Sequence, residues 1–273
     1  RGKLVVYLWT TALFLYCIDA VLMPLMLMLY YLIFDEFKYV NTILLTLPPI
    51  FDDFNDDLRN FFVTVMTYSM MLYCSATYVA VFPQGLIYML HACGRIDILK
   101  RKVLSLFPED NVVPVDIHHN MKVIGKELQD IYDFVYDIND TSGVIYEVTL
   151  KVSAIIIPIS ALLIIEELKH TTVSLHFVIL LAATLLICSL PCYYGNLLMT
   201  KSMELREAVF FCGWERVWHK PTRKSLIIIM TRIERAIAIS SVFYVMNLET
   251  LADVFKTSHR LFSILSAAWT LEY

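Results

Sequence analysis

The chain has 273 residues, of which 58% are apolar and 18% charged, with a net charge of −4 and a mean hydropathy of +0.64. Soluble domains are about 45–50% apolar and about 25% charged, and the surplus here is gathered into long uncharged runs. The net acidity opposes a nucleic-acid partner, and no H-E-x-x-H run, Gly-rich phosphate loop or nucleophile elbow marks an enzyme or calls for a cofactor.

In chain order, residues 4–34 hold one charge, Asp19, and residues 60–94 hold none. Each run exceeds the ~20 residues that cross a bilayer, and the first is too long for a cleavable signal peptide. Between them, 35–59 carries six acidic and two basic residues. His91 to Leu106 reads as a helix leaving the membrane, because Ile96, Leu99, Val103 and Leu106 recur at helical spacing. A second amphipathic helix is predicted over about His118 to Ile138. Its Met121, Ile124, Leu128, Ile131 and Val135 share one face, and that face is expected to pack on protein.

Residues 152–165 and 171–200 supply two more uncharged runs. The first becomes a span if Thr141 to Ile165 is helical, with Glu147 and Lys151 at its interfacial end. Thr200 to about Trp218 is predicted to continue the preceding span. Pro221 breaks it, and a new helix is expected over Arg223 to Asn247. The last predicted helix, Thr250 to Trp269, is long enough to cross. Its Lys256 and Arg260 would cost about 2.5–3.5 kcal/mol each at the bilayer centre, so they belong near an interface, against other helices or along water.

The charges set an orientation. With the first, third and fifth segments inside, 17 basic residues lie on the cytoplasmic side and three outside, not counting the last helix. The positive-inside rule selects that arrangement, which ends the chain outside the cell. Asn139-Asp140-Thr141 matches a glycosylation acceptor but falls in the cytoplasm, so a glycan there would reverse the orientation. The six cysteines include no pair in an outer loop, which argues against a disulfide framework. Cys188 and Cys192 share a helical face and suit packing better than metal binding.

Several stretches resemble the insect odorant receptors. They are Tyr193-Tyr194-Gly195, Ser202, Glu204, Ala208-Val209-Phe210, Trp214, Arg223-Lys224-Ser225-Leu226, Met230-Thr231-Arg232 and the run LETLADVFKTSHRLFSIL from Leu248 to Leu265. Upstream, Leu90 to Leu99 (LHACGRIDIL) is similar to the stretch after that family's fourth helix, and His119 sits where a histidine often precedes the fifth. The resemblance implies an all-α, polytopic integral membrane helix bundle of inverted seven-span topology. The third to seventh spans would be present, and the chain would be N-terminally incomplete.

The expected organisation is then two spans with an acidic outer loop over 1–94, a cytoplasmic helical segment over 95–140 and two spans over 141–200. Cytoplasmic anchor helices follow over 201–247, and a pore-lining last span with an outer C-terminus over 248–273. The family's members are odorant-gated, non-selective cation channels acting as tetramers with a shared co-receptor in the plasma membrane of olfactory sensory neurons. Their partners are small volatile apolar ligands and lipid. A gustatory-type receptor channel or a G-protein-coupled receptor is the alternative. The outer C-terminus weighs against the latter, and the lack of an internal repeat weighs against a transporter.

Carried over residue by residue, the resemblance makes Ile264 the gate position, with Ala267 and Ala268 beyond it. Where the family has a Ser-Tyr-Ser-type run, this chain has Ser258-His259-Arg260. Arg260 either faces the pore and repels cations or lies solvated or carboxylate-paired away from the axis. Odorant contacts are expected from Asp19, Met23 and Tyr30 on the first span, Tyr68, Met71 and Ser75 on the second, and His176, Leu180 and Thr184 on the 171–200 span. Asp19 is either a ligand-contacting carboxylate or a neutral, hydrogen-bonded acid.

Overall fold

The computed structural model describes residues 33, 56–107, 117–169, 175–216, 220–241 and 243–271. The elements in order are α1 (Asp56–Leu104), α2 (Ile117–Lys169), α3 (Leu175–Phe210), a 3₁₀ turn (Trp214–Arg216), α4 (Lys220–Ile233) and α5 (Leu248–Leu271). By compactness the chain divides into Arg1–Gln84 with Val178–Ala183, and Gly85–Phe177 with Thr184–Tyr273. In the first unit, Val63 and Phe82 are buried while Val65, Met66, Met70 and Tyr73 are exposed on α1. Apolar residues left open in this way fit a surface that meets lipid.

In the second unit α1 and α2 run antiparallel. Tyr88 and His91 meet Phe134 edge to face, Arg95 lies 5.7 Å from the same ring, and Lys102 pairs with Glu127 further along. The two predicted stripes explain the pairing. Ile96, Leu99, Val103 and Leu106 are all buried, as are Met121, Ile124, Leu128, Ile131 and Val135. Each such side chain contributes about 1.5–3 kcal/mol on burial, so the amphipathic face of α2 is covered by protein, as expected. α3 joins them through Asp97–Lys201 at 3.1 Å and Lys100–Glu204 at 2.9 Å, with Lys201–Glu204 at 3.1 Å closing the network.

The long helices are continuous. The predicted amphipathic helix and the following span are one helix of 53 residues, α2, and α1 has 49. At 1.5 Å per residue these reach roughly 75–80 Å, well beyond the ~30 Å hydrocarbon core, so each must stand partly in water. Among the described residues, His119–Lys169 and Phe177–Phe210 are long and apolar enough to cross a bilayer.

Three helices have ends that differ from expectation. α3 stops at Phe210 and not near Trp218, because Gly213 turns the chain with φ +85° and Trp214 donates its indole N–H to the Phe210 carbonyl at 3.1 Å. A left-handed glycine just past a helix end is the usual stop. α5 begins two residues earlier than predicted and ends two later. The largest correction is α4, which begins at Lys220 and not Arg223, so that Pro221 lies in its first turn and is not the break, and which ends at Ile233, not Asn247.

Residues 234–241 and 243–247 form an extended strap. Ile237 and Ile239 are buried, while Ala238 is only partly covered and Ser240 is exposed. That alternation has the period of two of a strand, not the period of a helix. A tight reversal follows, in which Ser241 N–H donates to Tyr244 O and Met246 N–H to Ile239 O, both at 2.8 Å.

Candidate functional site

α5 begins with a built N-cap. The Asn247 side-chain oxygen accepts the Thr250 N–H at 2.8 Å, and the Thr250 hydroxyl donates to the Val245 carbonyl at 2.6 Å. Asn caps because its short amide reaches back to an otherwise unpaired N–H. From there α5 packs on the apolar half of α2. Thr250, Val254 and Ser258 recur every four residues and are buried, and Ser258 donates to the Ala154 carbonyl at 3.2 Å.

The other face is open. Asp253, Lys256, Arg260, Ile264, Ala267 and Ala268 are all exposed, Ile264 at 65%. At 100° per residue, Arg260 and Ala267 stand nearly opposite Ser258. Lys256 pairs with Asp253 at 2.9 Å, whereas Arg260 makes no ion pair among the described residues. Arg260 is thus exposed, and it shares a helix face with the expected pore positions Ile264 and Ala267. Toward the far end, Ile159, Leu162, Leu163 and Ile165 of α2 and Leu265, Ser266 and Trp269 of α5 line a cavity of about 180 Å³. Glu166 and Lys169 stand at its polar rim.

Of the odorant candidates, Asp19, Met23 and Tyr30 lie outside the described residues. For Tyr68, Met71, Ser75 and His176 only the helix that carries them is described. Leu180 and Thr184 fall one turn apart on α3, half-buried and buried respectively. Cys188 and Cys192 are fully buried, and no group of metal-ligating side chains occurs among the described residues.

Sequence reading missed how the strap is held. Its Ile237 N–H donates to Ser202 Oγ at 2.8 Å. Its Ser240 N–H donates to Asn139 Oδ1 at 2.8 Å, and Asn139 Nδ2 donates to Ser240 Oγ at 3.3 Å. Ser241 donates to Glu147, which also pairs with Lys151 at 2.6 Å, and the Lys151 ammonium lies 4.7 Å from the Phe243 ring. Asn139 is therefore a structural carboxamide inside α2, and a glycan on its nitrogen would displace the strap. Gly195 approaches Met246 so closely that any Cβ would meet the Met246 carbonyl oxygen at 2.2 Å.

In the charged network, hydrogen bonds from Lys100 and then Lys201 hold the Glu204 carboxyl below its ordinary range. Lys201 is raised in turn, by Glu204 first and then by Asp97.

Among the described residues, a helical architecture without strands, two helices long and apolar enough to cross a bilayer, and a last helix packed on one side define a membrane helix bundle. The chain belongs to the 7tm odorant receptor family, whose pattern it matches over residues 2–259. Its fold is similar to that of the insect olfactory receptor OR5 from Machilis hrabei, with a TM-score of 0.73 at 14% identity, covering 97% of this chain and 65% of that one. The same receptor in complex with eugenol gives a TM-score of 0.64 at 14% identity, covering 98% and 66%. The chain thus spans just under two thirds of those receptors. No curated protein matches it.

Proposed function

We propose that this odorant receptor is a subunit of a ligand-gated, non-selective cation channel, with α5 lining the pore. It would act beside a shared co-receptor in a heterotetramer, in the plasma membrane of olfactory sensory neurons. The observation that carries this reading is the one-sided packing of α5. One face is seated on α2, and the opposite face, with Lys256, Arg260, Ile264 and Ala267, is exposed. Charged groups on a membrane-length helix are tolerated where they meet water or a partner, and a pore supplies water.

The positive-inside balance supports a cytoplasmic polar half and an outer end for α5. The eugenol complex of the structural neighbour supports a small, mostly apolar ligand. For this chain the ligand site would draw on Asp19, Met23, Tyr30, Tyr68, Met71, Ser75, His176, Leu180 and Thr184.

The test is to express the full receptor with a co-receptor and record odorant-evoked current before and after Ile264→Cys is exposed to a charged thiol reagent. Reading α5 as the pore helix requires block of the evoked current in the variant and none in the wild type. Currents that depend on guanine nucleotide would instead mark a metabotropic receptor.

A further inference from the structure

The strap joins the polar bundle to α5, and among the described residues the bonds that hold it lie at one end of that helix. Met246 is 0% exposed, sealed over Gly195, while Ile237 and Ile239 are buried and the Ile237 N–H is held by Ser202. Asn139 grips Ser240 with two hydrogen bonds, Glu147 accepts from Ser241, and Thr250 ties the first turn of α5 back to Val245. Coverage then fades along α5. On the seated face Thr250, Val254 and Ser258 are buried, Phe262 is partly covered, and Leu265 and Trp269 are exposed at 37% and 44%.

A rod fixed at its base and progressively less covered toward its tip moves by pivoting about the base. We propose that the strap is a fixed pivot for α5, with Asn139 and Gly195 as positioning residues that set the resting angle of the pore helix. This rests on the channel reading above. Both residues act from a distance. Asn139 holds the strap by its backbone and hydroxyl, and Gly195 leaves the space that the Met246 carbonyl occupies. Neither needs to touch ligand or ion.

The fixed pivot makes two opposite demands. Bonding the strap covalently to α2 should leave gating intact, because the pivot does not move. Loosening it should let α5 wander, raising current without ligand relative to evoked current.

Both are tested in the full receptor expressed with a co-receptor. Asn139→Cys with Ser240→Cys is bridged by dibromobimane, which fluoresces strongly once both of its ends have reacted, and each single variant serves as the control. The expected result is bridge fluorescence with evoked current retained. Asn139→Ala is expected to raise the ratio of basal to evoked current roughly five- to tenfold at matched surface abundance, the low end of the range for two lost hydrogen bonds. Asn139→Asp, whose carboxylate still accepts from the Ser240 N–H and O–H, should restore the wild-type ratio.

Loss of evoked current on bridging overturns the pivot, as does a wild-type ratio in Asn139→Ala. Absence of bridge fluorescence overturns the docking of the strap itself. An unmodified receptor that passes no evoked current sinks the channel reading instead, and the fluorescence still reports whether the strap is seated.

Discussion

Gly195 and Met246 are in such close contact that the hydrogen on the glycine Cα occupies the only room there is. A methyl group would lie 2.2 Å from the Met246 carbonyl oxygen and 2.8 Å from its Cβ. The obstacle is backbone, which cannot rotate away. Gly195→Ala is therefore expected to cost about 1–3 kcal/mol, the usual range for overpacking, read as a lower midpoint of thermal unfolding in detergent. An unchanged midpoint would mean that the strap moves aside freely.

Gly85 offers a contrast. Its Cβ would meet the Tyr146 hydroxyl at 2.1 Å, the far end of a side chain. Gly85→Ala should destabilise, and Tyr146→Phe in the same chain should recover part of the loss by removing the blocking oxygen. The double-mutant cycle measures this coupling, and additive effects would rule it out.

Ser202 is buried and accepts the buried Ile237 N–H. Ser202→Ala leaves that donor without a partner, which costs about 1–3 kcal/mol. Cysteine at 237 reports the consequence. It should become more reactive toward a thiol reagent in the Ser202→Ala background, and equal reactivity in both backgrounds would show that another group holds the strap.

The network around Glu204 gives a pH dependence. Its carboxyl is held below its ordinary 4.5, so it binds its proton less readily folded than unfolded. It therefore contributes stability above that value, and the contribution is lost as the pH falls through the depressed range. Lys201, raised above its ordinary 10.5, contributes below that value and loses its contribution as the pH climbs past it. The groups are about a quarter to a third exposed, so the effect is small. Glu204→Gln should flatten the acid limb of stability against pH, and an identical acid limb would remove the network from the account.

Arg260 stands on the exposed face of α5 with no ion pair among the described residues. Under the channel reading, Arg260→Gln should raise cation current through a homomer more than through a mixture with a co-receptor, because the homomer carries the charge on every subunit. Single-channel recording separates conductance from open time. Equal conductance before and after the change would place Arg260 away from the ion path.

The hydrophobic stripes of α1 and α2 were legible in the sequence because burial against protein imposes helical spacing on apolar residues. Every residue named in those two stripes is buried. The strap was not legible, since Ile237, Ile239 and the small residues between them suit a helix in composition and reveal a strand only by which of them is covered. The grip of Asn139 was hidden for a different reason. Its partner is 101 residues away, and the local Asn-Asp-Thr pattern suggested surface chemistry. The exposed side of α5 was foreshadowed by Lys256 and Arg260, whose charges exclude lipid contact. A ligand pocket leaves little trace, because packing residues that shape a cavity look like any others.

The unbroken length of α2 restricts what insertions the chain can accept. Between Asn139, which holds the strap, and Ala154, which meets Ser258, there is no loop to absorb an added residue. One extra residue in that stretch would turn everything beyond it by about 100°, swinging the α5 seat out of phase with the strap. The rotational register of this one helix is therefore shared by two contacts about four turns apart.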